Sequence, residues 1–363
     1  VDIILDNIIF SLQNAGGASV VWQQHLERLI DDKDFKTYFL EYDNAELNFF
    51  RKHLYINKDS IITKKSEYLF LKRYLNLTKS RIKGKHLFHS SHYRVENNSN
   101  AINVTTVHDF TYEFFIKGLR KKIHSFQKNF AINNSQGIIC VSESTKKDLL
   151  HFLPHISESK IKVIYNGVDN KFKPLINDVN FQKGHSFDDY SYSIYIGDRR
   201  TKYKNFNMAV AACSMAKSPL LIIGGGELTS EELYFLKTKL GDNNFINLIG
   251  VNVEDLNYYY NKAKCLLYPS LYEGFGIPVI EAQRAGCPVI ATNSSSIPEV
   301  IGNSYLAISE PTHEKISEKI DALTFGDLRN ETIEMGLKKS EFFSWDRTYI
   351  ETKEFYKELY FEK

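Results

Sequence analysis

Glu273 and Glu281 stand eight positions apart in the segment Ser270-Leu-Tyr-Glu-Gly-Phe-Gly-Ile-Pro-Val-Ile-Glu281. The apolar run Ala263 to Tyr268 precedes them and reads as a buried strand. Pro278 suits the first turn of a helix, where its missing N–H is not needed. Glu273 then belongs to the strand-to-helix loop, and Glu281 lies about one turn into the helix. The free N–H groups of a helix start form an anion site. Two acceptor carboxylates beside an anion site suit a ligand carrying both hydroxyls and phosphate, such as a nucleotide sugar.

Other fragments fit the same chemistry. In Ile194-Tyr-Ile-Gly197-Asp-Arg199-Arg-Thr-Lys-Tyr-Lys204-Asn205 a strand ends in glycine and a cationic loop follows. Arg199 presents a planar donor fork and Lys204 a compact charge, so both could neutralise a departing diphosphate; a basic surface loop is the plain alternative. Gly16 and Gly17 follow the first strand and would let backbone approach a ligand closely, although glycines also end strands for turn reasons alone. His108 follows another apolar strand, at the end where sites form, and could donate to a sugar hydroxyl. His89, Ser90 and Arg94 cluster after a further strand and suggest an acceptor-side wall, with a capped turn as the alternative. Gly224-Gly-Gly226-Glu227 marks one more strand end. Asp32-Lys33-Asp34 spells D-x-D, but it sits at the end of a predicted helix among charges and reads as a solvated helix end.

These residues need a frame. Apolar runs at 3–10, 36–40, 86–89, 102–107, 137–141 and 161–165 read as strands, with helical stretches near 18–31, 112–130 and 143–152. A second series of strands falls near 192–196, 219–223, 245–249, 264–268 and 288–291. Strict β/α alternation predicts parallel sheets with helices on both faces. At 363 residues the chain favours two cores. The expected division is 1–175, a polar linker 176–190, a second domain 191–344, and a final helix 345–363. Trp345, Tyr349, Phe355, Tyr356 and Tyr360 would anchor that helix on the first domain.

Composition narrows the classes. A hydrophobic content of 43% and a charged content of 25% are those of a globular protein, and no apolar run is long enough to span a bilayer. The four cysteines lack metal spacing and read as buried thiols, which points to the cytoplasm. Residues 51–130 carry 17 Lys+Arg against 5 Asp+Glu. That excess would attract phosphate or an anionic membrane face, with Phe114 to Phe126 mixing aromatics and cations; a solvated basic face is the alternative. Nucleic acid is a poor candidate, since no recognisable binding module accompanies the charge.

Together these fragments resemble the retaining glycosyltransferases of family 4, which have the GT-B architecture: two doubly wound Rossmann-like domains facing across a cleft. The E-x7-E motif falls on Glu273 and Glu281, and the Gly-x-Arg-x4-Lys-Asn element on Gly197, Arg199, Lys204 and Asn205. Ser296-Ile-Pro-Glu-Val300 and Tyr165-Asn-Gly-Val-Asp169 continue the likeness. The resemblance implies an acceptor-binding first domain and a donor-binding second one. Glu281 would hold the ribose and Glu273 the sugar hydroxyls. The backbone of Gly274, Phe275 and Gly276 would touch sugar and diphosphate. Arg199 and Lys204 would stabilise the leaving group, the Gly16-Gly17 loop would approach phosphate, and His108 would face the transferred sugar. It also implies same-face substitution without a metal or other cofactor. The expected partners are a nucleotide diphosphate sugar, GDP-mannose-like or else UDP-linked, and a glycan or lipid-pyrophosphate acceptor of bacterial surface polysaccharide, at the inner face of the cytoplasmic membrane. A nucleotide-sugar epimerase on the same fold and a non-catalytic sugar-nucleotide binder are the competing readings.

Overall fold

The computed structural model describes residues 1–78, 82–175, 187–324 and 327–362. The chain divides into two compact units, Val1–Gly167 with Trp345–Lys363, and Val168–Ser344. The boundary therefore falls eight residues before 175, because the following segment is fastened to the second unit. Val168 bridges Ser344, and the N–H of Lys173 donates to Asn257 Oδ1 at 2.9 Å. Of the expected linker, 176–186 lie outside the described residues, while Phe187 is buried.

The first unit holds a seven-stranded sheet of β1 (Asp2–Asp6), β2 (Lys36–Tyr42), β3 (Ile61–Lys64), β4 (His86–Ser90), β5 (Ala101–Val107), β6 (Gly137–Cys140) and β7 (Ile161–Val163). Their order is β3-β2-β1-β4-β5-β6-β7, and every pair is parallel. The second unit holds β8 (Ser193–Ile196), β9 (Leu220–Ile223), β10 (Phe245–Leu248), β11 (Cys265–Tyr268), β12 (Val289–Thr292) and β13 (Ala307–Ile308), ordered β10-β9-β8-β11-β12-β13 and again all parallel. Strands such as Leu220–Ile223 and Cys265–Tyr268 are buried throughout, which is why they read as unbroken apolar runs. Strand order reverses between β1 and β4 and again between β8 and β11. In such sheets the ligand crevice lies outside the C-terminal strand ends at that reversal.

Three expectations change in detail. The first strand stops at Asp6, not at residue 10, because the buried Asn7 side chain turns inward to accept from Trp22 Nε1 and donate to Glu41. The helical stretch 112–130 is two helices, Thr111–Phe115 and Leu119–Asn133, separated at Gly118 with φ +76°. The Asp32-Lys33-Asp34 segment is exposed at Lys33 and Asp34, as expected of a solvated end, but its carboxylates are engaged. Asp32 accepts from Tyr349 Oη and Lys353 Nζ, both at 2.6 Å, and Asp34 from Lys357 Nζ at 2.8 Å. These bonds tie the final helix, Trp345–Phe361, to the first unit. Phe355 and Tyr356 of that helix lie in the first unit's core beside Trp22, Leu26 and Phe39. The four cysteines are free and buried.

Candidate functional site

In the second unit the reversal point brings together what the sequence set apart. Gly197 ends β8 with φ +146° and donates its N–H to Ile223 O. The loop then climbs through a short turn to Asn205, whose φ of +51° is the left-handed conformation that asparagine tolerates better than most side chains. Asn205 Nδ2 donates to Pro269 O at 2.9 Å, fastening this turn to the loop after β11. Lys204, one residue earlier, reaches Glu273: Nζ to Oε1 is 2.5 Å, with both side chains largely shielded from solvent. The rings of Tyr203 and Tyr268 flank the ammonium at 5.5 and 5.6 Å.

The Glu273 loop is held from β12's side. Ser295 Oγ accepts from the Glu273 N–H at 2.8 Å, and Ser296 Oγ donates to the carbonyls of Glu273 and Phe275. Ser296 opens the Ser296-Ile-Pro-Glu-Val stretch noted in the sequence without a role, and Ser295 immediately precedes it. Gly276 caps the helix Ile277–Arg284 at φ +100°, and a Cβ there would lie 3.0 Å from Ile297. Phe275 is buried with its ring 5.6 Å from Phe343, so this residue can offer a ligand only its backbone.

Glu281 lies in that helix and accepts a long bond from Tyr260 Oη at 3.5 Å. Burial, with repulsion from Asp169, pushes its carboxyl up to about 7 against the one weak bond from Tyr260. A carboxyl left this poorly satisfied can still accept from hydroxyls of a ligand. Glu273 and Glu281 thus occupy different surroundings, one already ion-paired and one nearly alone.

Arg199 departs from the expectation. Its side chain is fully buried beneath the loop after β9, not presented to a ligand. It donates to the carbonyls of Gly224, Gly226 and Glu227 at 2.7 to 2.9 Å and pairs with Glu232 at 3.1 Å. Its guanidinium organises the glycine turn, and that turn packs close enough for a Cβ on Gly224 to lie 3.1 Å from Gly197 O. Glu232 was not singled out from the sequence, although its capping-box spacing from Thr229 carried a signal.

In the first unit Gly16 precedes the helix Gly17–Leu29, and Gln13 Nε2 donates to Ser19 Oγ across it at 2.6 Å. Nothing lies within 4 Å of where a Cβ on Gly17 would be. His108 follows β5 and lines a small cavity of ≈ 50 Å³ with His25, His89, Trp345 and Tyr349. Burial lowers its pKa, so at neutral pH it is an uncharged imidazole with one N–H to give.

The proposed acceptor wall is corrected. His89 is buried, with Nδ1 2.5 Å from Tyr356 Oη and Nε2 2.9 Å from Thr106 Oγ1. It anchors the final helix and has no ring nitrogen left for a ligand. Ser90 is also buried and donates to Asp6 Oδ2 at 2.7 Å. Arg94 is buried beside them, with Nη1 3.1 Å from Tyr42 Oη.

Residues 15–172 match the model for glycosyltransferase family 4, and residues 177–339 the model for glycosyl transferases group 1. The chain is 32% identical over 176 residues to O-antigen chain mannosyltransferase B of Escherichia coli, covering 46% of each chain. It is 28% identical over 216 residues to an E. coli UDP-Gal:alpha-D-GlcNAc-diphosphoundecaprenol alpha-1,3-galactosyltransferase, covering 57% of this chain and 54% of that one. The matches thus span about half the length of either relative. Its fold is like that of sucrose-phosphate synthase from Thermosynechococcus elongatus, with a TM-score of 0.73 at 17% identity over 99% of both chains. With two parallel α/β units, and family models that between them take in nearly all of its length, the chain belongs to the group 1 glycosyl transferases of glycosyltransferase family 4 and has the GT-B fold.

Proposed function

We propose that the chain transfers a sugar from a nucleotide diphosphate sugar to a glycan or lipid-linked acceptor during assembly of a bacterial surface polysaccharide. The observation that carries this reading is the Lys204–Glu273 pair at the reversal point of the second sheet, with Glu281 one turn into the next helix. The pair holds a cation and a carboxylate in direct contact. A bound donor would replace each partner, its diphosphate taking Lys204 and its sugar hydroxyls taking Glu273. Glu281 would accept from the ribose. Arg199 supports the site from beneath as a positioning residue.

The reaction breaks the bond between the anomeric carbon and a phosphate oxygen and forms one from that carbon to an acceptor hydroxyl oxygen. Negative charge grows on the leaving nucleoside diphosphate, and Lys204 together with the loop N–H groups of 274–276 would stabilise it. We assign the acceptor proton to the leaving phosphate oxygen, with attack on the face the phosphate leaves and retention at carbon. The single carboxylate near the sugar, occupied by the sugar hydroxyls, suits that course better than a nucleophile pair. No metal is needed where Lys204 faces the diphosphate.

One E. coli relative is named an O-antigen chain mannosyltransferase and the other a UDP-Gal-dependent galactosyltransferase; our first choice is a mannosyl donor of GDP type and our second a UDP-linked hexose, with polysaccharide assembly as the setting. A site at the cytoplasmic membrane face would suit a lipid-linked acceptor. Among the described residues no helix is long and apolar enough to cross a membrane. A donor screen scored by nucleoside diphosphate release, with and without excess chelator, tests the reading. Release should survive chelation and disappear in Lys204→Met and Glu273→Gln. Full activity in either variant refutes the site; loss on chelation restored by Mg²⁺ refutes the metal-free course.

A further inference from the structure

Left-handed backbone is easy for glycine, tolerable for asparagine and strained for other side chains. Among the described residues five that are not glycine have a positive φ, and two of them hold the Glu273 loop. One is Asn205, which bonds Pro269 O. The other is Ser295, at φ +47° in the loop after β12. A serine kept in this conformation needs a contact that outweighs the strain, and such residues gather where function requires them.

That contact is the bond Ser295 Oγ accepts from the Glu273 N–H at 2.8 Å. Its neighbours bind the same loop. Ser294 Oγ donates to Leu271 O at 2.8 Å, and Ser296 Oγ donates to the carbonyls of Glu273 and Phe275, each at 2.9 Å. Three consecutive hydroxyls thus follow alternate residues of the loop, 271, 273 and 275. Glycine would reach φ +47° without strain but has no oxygen to offer the Glu273 N–H. Alanine would carry the strain and make no bond. A serine here trades backbone ease for that one contact.

Glu273 is held in two places. Lys204 holds its carboxylate at 2.5 Å, and Ser295 with Ser296 holds its backbone. The first hold is lost when a donor diphosphate takes Lys204, as the transferase reading requires. The carboxylate must then meet the sugar hydroxyls from a backbone that the serines fix. Misplacement of such a group by a fraction of an ångström weakens its bonds to a ligand.

We infer that Ser295 is a positioning residue: its strained backbone fastens the Glu273 N–H, so that the carboxylate stays aimed at the donor sugar once Lys204 has turned to the diphosphate. This deepens the transferase reading and rests on it.

Three variants set the strain and the hydrogen bond against each other. Ser295→Gly removes both, Ser295→Ala removes only the bond, and Ser295→Thr keeps the hydroxyl while its branched Cβ makes φ +47° harder to hold. Urea unfolding followed by circular dichroism should find Ser295→Gly the most stable of the three. Donor binding should rank them differently. In titration calorimetry with GDP-mannose and UDP-galactose as probes, Ser295→Gly and Ser295→Ala should each weaken whichever the natural protein binds by about tenfold, and Ser295→Thr by about twofold at most. GDP and UDP have no sugar for Glu273 and should bind all three variants as they bind the natural protein. Sugar-nucleotide binding that follows stability, kept in Ser295→Gly and lost in Ser295→Thr, makes the serine a structural residue and overturns the inference. Equal weakening of the nucleoside diphosphate and its sugar conjugate also overturns it, because the effect then lies on the whole loop. Should Ser295→Thr fail to fold, the other two variants decide: equal weakening at unequal stability supports the inference, and weakening in proportion to stability overturns it. Failure of both sugar nucleotides to bind the natural protein refutes the donor reading and the inference with it, whereas binding that Ser295→Gly leaves unchanged refutes the inference alone.

Discussion

Glu281 gives the sharpest test of the second unit. Its carboxyl is raised from 4.5 to about 7, chiefly by burial, with Asp169 adding repulsion and only a 3.5 Å bond from Tyr260 opposing it. The folded protein therefore keeps this proton to higher pH than the unfolded chain does. Stability contributed here is intact below about pH 4.5, falls as pH rises to about 7, and is flat above. A shift of this size corresponds to about 3 kcal/mol as an upper bound. Glu281→Gln removes the ionisation and keeps the shape. The variant should match the natural protein near pH 5 and exceed it near pH 8 by about 1–3 kcal/mol. The two tryptophans, Trp22 and Trp345, both lie in the first unit, so the second unit's urea transition is the one seen by circular dichroism and not by tryptophan fluorescence. Donor binding should run the opposite way. The ionised carboxylate is the better acceptor for ribose hydroxyls, so nucleotide affinity should rise with pH through about 7, and in Glu281→Gln it should be weaker by about tenfold and independent of pH over that range. A Gln variant that is less stable at pH 8 refutes the assignment of an unsatisfied buried carboxyl. Unaltered nucleotide affinity in the variant refutes its role at the ribose.

The Lys204–Glu273 pair should show strong coupling: Lys204→Met strands a shielded carboxylate and should cost about 1–3 kcal/mol, while Lys204→Met with Glu273→Gln recovers most of that without recovering transfer, as denaturation and nucleotide release will report. Acid should loosen the final helix. The Asp34 carboxyl is held at about 2 by Lys353 and Lys357, and Asp32 is also depressed, by hydrogen bonds from Lys353 and Tyr349 that outweigh its burial. Carboxyls of this kind stabilise above their ordinary value of 3.8 and lose that contribution as pH falls through the depressed one. Fluorescence of Trp345 between about pH 4 and pH 2 should follow the loss, and Asp32→Asn with Asp34→Asn should remove its pH dependence. Finally, Gly137→Ala should cost about 1–3 kcal/mol, because the new methyl group meets Leu359 and Phe355 where the helix crosses β6; partial recovery by Leu359→Ala is expected in urea unfolding followed by tryptophan fluorescence.

What the sequence disclosed about the site divides along a physical line. Glu273, Glu281, Lys204 and the glycines were legible because their meaning is local: a strand ends, a glycine turns the chain, a proline starts a helix, and topology puts the rest at the strand ends. Arg199 and His89 satisfy the same local criteria, yet the structure buries both side chains. Each is a polar residue at or just past the C-terminal end of a parallel strand, yet each has its hydrogen-bonding groups taken by distant partners, Arg199 by carbonyls of 224–227 and His89 by Tyr356. Asp32 and Asp34 show the same effect, since their partners lie more than 300 residues away. Residue type and position report which groups can bind a ligand. Only the fold reports which of those groups remain unsatisfied. By that criterion Glu281, with one long bond, has the strongest claim on a ligand.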